Sequence, residues 1–171
     1  MRKIALTLAA AAPIMLGQAS VASAQASLPQ IDFLSPTDAE RILRSTGAKV
    51  TRAEDPSHFL VVLPSGAKAD AQLQNCEDRK SASNCRTLSV ILTLAKPKEM
   101  NRAALLDFIN EFNQHTVSVI IYLDEKNDVV LRFVFITTGN ETIMSGAQKF
   151  AIWRQEIGRF ASEISQKLKG K

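Results

Sequence analysis

"TVSVIIYLDEKNDVVLRFVFITT", Thr116 to Thr138, is the stretch on which the fold turns. Two apolar runs flank Lys126, Asn127 and Asp128. Asparagine and aspartate suit turns because their short side chains bond nearby backbone and tolerate left-handed φ, so the pattern predicts a β-hairpin. Successive strand side chains point to opposite sides. Val117, Val119, Ile121 and Leu123 therefore share one face of the first strand, and Val129, Leu131, Phe133 and Phe135 one face of the second; these faces are expected to be core. The opposite faces carry Ile120, Tyr122, Val130, Val134 and Ile136 beside Ser118 and Arg132. That is more apolar surface than a solvated sheet face normally shows. Either a helix of the same chain covers it, or Ile120, Tyr122, Val130, Arg132, Val134 and Ile136 form a partner or dimer surface.

Working outward, Leu105, Phe108, Ile109 and Phe112 recur at helical spacing and predict a helix from about Glu99 to Phe112, with Pro97 ahead of it. After the hairpin, Phe150, Trp153, Ile157, Phe160, Ile164 and Leu168 align in one apolar stripe of a long helix from about Thr142 to Leu168. Upstream, Ser35, Pro36 and Asp38 form a capping-box-like start for a helix from Pro36 to about Ser45, which Gly47 is placed to end. Strands are expected near Lys49 to Ala53, over His58 to Pro64, and on either side of Cys76 to Cys85. The order is helix, three or four strands, helix, two strands, long helix, which favours an α+β fold: an antiparallel sheet packed with helices.

The first residues have a positive start at Arg2 and Lys3, an apolar stretch from Ile4 to Leu16, and small residues ending at Ala24. That is the pattern of a secretory signal peptide, residues 1–24. The stretch is shorter than the ~20 apolar residues a membrane span takes, so no stable membrane insertion is expected after cleavage. Residues 25–34 read as a flexible N-terminal arm and 35–171 as a single domain. Of 21 basic and 17 acidic residues, Arg2 and Lys3 fall in the leader, so the mature chain would carry a net charge of only +2. Scattered charge near balance argues against a nucleic-acid partner.

Export also bears on the two cysteines, Cys76 and Cys85, the only ones in the chain. They lack the companion ligands and knuckle spacing of a zinc site and are too far apart for a redox CxxC pair. In an exported domain they read as a structural disulfide. Alternation places Ala67, Ala69, Ala71 and Leu73 on one face before the loop and Leu88, Val90, Leu92 and Leu94 after it. If neither strand is bulged, both cysteines share the opposite, polar face, outside the core.

The sequence assembles no catalytic constellation: there is no phosphate loop, nucleophile elbow or paired metal-ligand helix. His58 and His115 are expected at capping or surface positions. Neither metal nor other cofactor is expected. "NEFNQH", Asn110 to His115, stands out more, because Asn110 and Asn113 lie three apart at a helix end. Either Asn113 caps the helix while Asn110 bonds backbone at the start of the next strand, or the two form a polar recognition site.

"FINEFNQHTVSVIIYLDEKNDVVLRFVF", Phe108 to Phe135, followed by a turn at Gly139 and a long helix with Trp153 and Phe160, resembles the YbjN family, often described as bacterial sensory transduction regulators. Asn110, Phe112, Asn113, Asp124 and Leu131 match its pattern. Phe112 stands where many members carry tryptophan, Phe133 and Phe135 where the pattern often returns to an acidic residue, and Gly139 with Asn140 where a double glycine is usual. The signal peptide and the cysteine pair before "LSVILTLA" resemble the exported members. The resemblance implies a fold similar to type III secretion chaperones, often dimeric and built to bind protein. It supplies no catalytic residues and favours the periplasm, with secretion as the alternative. The expectation is a non-enzymatic protein-binding domain with a chaperone-like or regulatory role, working as a homodimer; the alternative is a small-ligand or lipid-binding module with an apolar groove under the long helix.

Overall fold

The computed structural model describes residues 29–169; the expected signal peptide lies outside them. The elements in chain order are β1 (Gln30–Ile31), α1 (Pro36–Arg44), β2 (Lys49–Arg52), β3 (His58–Val62), β4 (Lys68–Asp78), β5 (Ser83–Leu94), α2 (Arg102–Asn113), β6 (Ile120–Leu123), β7 (Val129–Ile136), β8 (Glu141–Thr142) and α3 (Ile143–Lys169). Six strands form one antiparallel sheet in the order β2-β3-β4-β5-β7-β6, and β1 pairs with β8 in a small second sheet. This is the expected α+β architecture, with three helices on the sheet.

Local chemistry sets the helix starts. The Ser35 hydroxyl accepts the Asp38 N–H at 3.2 Å while the Asp38 carboxylate accepts the Ser35 N–H at 3.0 Å, the reciprocal capping box expected from the sequence. Helix α2 begins later than expected, at Arg102 rather than Glu99, because Asn101 is the cap: its Oδ1 accepts the Ala104 N–H at 2.8 Å. Thr142 and Ser145 exchange side-chain and backbone hydrogen bonds at 3.0 Å at the start of α3.

The core lies between the helices and one face of the sheet. Ala69, Ala71, Leu73, Leu88, Val90, Leu92, Leu131, Phe133 and Phe135 are buried there, as alternation foretold. Phe150 and Trp153 of α3 stack on each other at 5.3 Å and meet Phe133 at 5.5 and 6.0 Å. Phe108 and Phe112 of α2 both meet Phe160 of α3. Each such side chain contributes roughly 1.5–3 kcal/mol by leaving water. Helix α3 meets α1 at Gly146, where a Cβ would stand 2.8 Å from Ile42 Cδ1 and 3.1 Å from the Phe135 ring.

Three expectations need correction. The end of the supposed loose arm is pinned: Gln30 and Ile31 pair with Thr142 and Glu141, and Leu34 is fully buried and exchanges backbone hydrogen bonds with Cys85. Val117 is not core but 85% exposed, because β6 begins only at Ile120. The cysteines do form a disulfide, Cys76 to Cys85, directly opposite in the β4–β5 register with S–S 2.05 Å. It is not outside the core, however, for Cys85 is fully buried beside Leu34 and Ala82. Asn75, opposite Arg86, has φ of 55° and turns the chain through a left-handed residue. Alternation along β4 does not carry across such a residue; on β5, Arg86 is exposed while Cys85 is covered by Leu34, which pairs with it.

Two stability outcomes follow from this packing. Gly146→Val should destabilise by about 1–3 kcal/mol, since branching forces Ile42 and Phe135 apart; urea unfolding measures it. Reducing Cys76–Cys85 should remove about 2.5–3 kcal/mol on the chain-entropy model for so short a loop, read as the difference between urea midpoints with and without reductant.

Candidate functional site

All three helices occupy the core face of the sheet, and among the described residues no helix packs on the other. The open face is polar over β4, with Lys68, Asp70, Gln72 and Gln74 in register across it. Toward the β6–β7 end it is apolar: Ile120, Tyr122 and Ile136 are 55%, 39% and 53% exposed. Val134 and Arg132 are half-buried, and the Arg132 Nε–H donates to the Ser89 hydroxyl at 3.1 Å. Val130 departs from the expected surface, being 5% exposed between its register partners Thr93 and Tyr122. All six expected residues lie on the open face, but only five of them reach solvent there, since Val130 is covered.

The asparagine pair does not form a site. The Asn113 amide is committed to the chain, donating to the Ile121 carbonyl at 2.8 Å and accepting the Ile121 N–H at 3.1 Å. Asn110 is exposed one helical turn away. What sequence reasoning missed is Glu156, a carboxylate only 8% exposed in the middle of α3. It accepts the N–H of Val117 at 2.9 Å and of Ser118 at 3.1 Å, fixing the α2–β6 connection to the long helix. The signal was present: Glu156 falls within the apolar stripe, between Trp153 and Phe160, where a charge needs a partner.

This tether shapes a groove of about 770 Å³ at the sheet edge, lined by residues 116–120 with Asn113, Phe133, Val134 and Lys149. Beneath the middle of α3, Phe133, Phe150, Trp153 and Phe160 are all buried against one another. A separate hollow of about 690 Å³ sits at the α3 start, lined by Ile31, Ile143 and Met144 with Arg41 and Arg44.

His58 lies near a serine and an aspartate, but not in a relay. The Ser57 hydroxyl is 3.1 Å and the Asp55 carboxylate 3.0 Å from the same ring nitrogen, Nδ1. A nucleophile and an orienting acid must contact different ring nitrogens. Asp55 also accepts the Ser57 hydroxyl at 2.7 Å and its N–H at 2.8 Å, so the cluster builds the turn into β3. His115 lies just past the α2 C-cap, its carbonyl accepting from Arg159 at 3.1 Å. Among the described residues, no three His, Cys, Asp or Glu side chains come together to hold a metal, and no helix is long and apolar enough to cross a membrane.

No protein-family model matches the chain, and no curated protein matches it.

The Ser57 hydroxyl and then its N–H hold the Asp55 carboxyl below the usual aspartate range. A depressed carboxylate stabilises the fold above its unfolded pKa, and that contribution is lost as pH falls through the folded value. Carbon-detected NMR titration should therefore show Asp55 protonating below a free aspartate, and Ser57→Ala should move its midpoint upward.

Proposed function

We propose that this chain is an exported, non-enzymatic member of the YbjN family that binds protein in a chaperone-like or regulatory role, working as a homodimer in the periplasm. The leader-like pattern of residues 1–24 and the cysteine pair support export. The observation that carries the protein-binding reading is the one-sided sheet. With the helices on one face, Ile120, Tyr122 and Ile136 remain exposed on the other. Apolar patches of this kind mark protein–protein contact surfaces. Tyrosine is a favoured anchor at such surfaces, pairing a large apolar ring with a polar tip.

The reading is tested by Tyr122→Glu and Ile136→Glu, each followed by light scattering and thermal melting. Self-association should be lost while the melting midpoint stays close to that of the parent, since exposed positions away from the core cost within about 0.5 kcal/mol. A variant that still associates, or one that unfolds, would sink the proposal: the first removes the interface and the second makes the face core.

A further inference from the structure

The two strands of the last hairpin are of unequal length. Strand β6 covers only Val129 to Arg132 of β7, whereas β7 runs on to Ile136. Strand β5 supports the whole of β7 on its other side. Ile121 turns both backbone groups outward to Asn113, so the hydrogen-bonded pairs of the hairpin are Ile120 with Arg132 and Tyr122 with Val130. By the same alternation, Thr137 donates toward β5, to the Arg86 carbonyl at 2.8 Å. The N–H and C=O groups of Val134 and Ile136 therefore point to the uncovered edge, and among the described residues none of them meets a partner there.

In continuous register Ser118 would lie opposite Val134. Its N–H is instead held by Glu156, as is that of Val117. Glu156 peels the incoming chain off β7 and leaves the groove between β7 and α3 open.

We propose that this notch is a strand-addition site for a short extended segment of a partner protein, apolar at alternate positions and carrying an acidic residue. The inference rests on the protein-binding reading above. Backbone donors and acceptors at strand spacing are matched by another extended backbone. Alternate side chains of the guest would lie against Phe133 and Val119 on one side and Ile120 on the other. Among the described residues Lys149 is the one charged residue lining the groove, which selects for the acid. A second copy of β7 fits poorly, because its continuation past Thr137 would run into Ile120, where β6 begins.

The experiment pans a phage-displayed library of random linear peptides against the protein purified from cells expressing the full chain, then follows amide exchange with the enriched peptide bound. Enriched sequences should alternate and contain an acid, and binding should slow exchange at Val134 and Ile136. Val134→Pro removes only the edge-facing N–H, at a place where an edge strand tolerates proline, and should weaken binding on the order of tenfold. Lys149→Glu should shift the enriched peptides from acidic to basic, a readout that does not depend on the proline variant folding. Protection elsewhere, binding unchanged in Val134→Pro, or Val134 and Ile136 already protected by self-association would each overturn the inference. Loss of self-association in Tyr122→Glu with peptide binding unchanged in Val134→Pro would overturn the edge site alone and leave the open-face reading standing.

Discussion

The packing of α3 across β7 is the contact on which the rest depends. Phe150 and Trp153 lie against Phe133, and Phe160 gathers the aromatic rings of α2. A single long helix thereby sets the depth of the core and draws α1 in at Gly146. It also commits every helix to the same side of the sheet. The chain has no further helix among its described residues with which to close the other side, so the exposure of Ile120, Tyr122 and Ile136 is a consequence of where α3 sits, not of a local defect.

The parts legible in the sequence were those governed by one period and one environment. The inner half of β4 alternates cleanly because the sheet is covered on one face, and α1 announced itself through Ser35 and Asp38. The failures share a cause: a side-chain interaction or backbone conformation from outside the repeating pattern. Val117 fits the alternation of β6 and still lies in water, because Glu156 on a distant helix claims its N–H. Cys85 fits a polar face and still lies in the core, because Leu34 from the N-terminal segment pairs with it and is itself fully buried. The β1–β8 pair is two residues long on each side and carries no period to detect.

The candidate surface was legible in part. Its excess of apolar residues could be read directly, but Val130 lost its exposure to neighbours in register, and Asn113 proved to serve the backbone of Ile121. Asparagine in a helix end offers the same amide to a ligand or to the chain, and only the position of β6 decides between them. The groove was invisible, since it arises from the difference in length between two paired strands.

Edge strands invite unwanted pairing, and stable proteins blunt them. Strand β2, one edge of this sheet, carries exposed Lys49, Thr51 and Arg52. Strand β6, the other, is short, and Asn113 occupies the outward groups of Ile121. Both edges are thus guarded except over Val134 to Ile136. Holding that gap open requires a carboxylate buried within an aromatic stripe, a placement that costs solvation and is offset only by the two backbone hydrogen bonds it accepts. An apolar residue at 156 would avoid that cost, and would free residues 117 and 118 to continue β6 and cover the edge. The presence of glutamate there is most simply understood if the uncovered edge is itself useful.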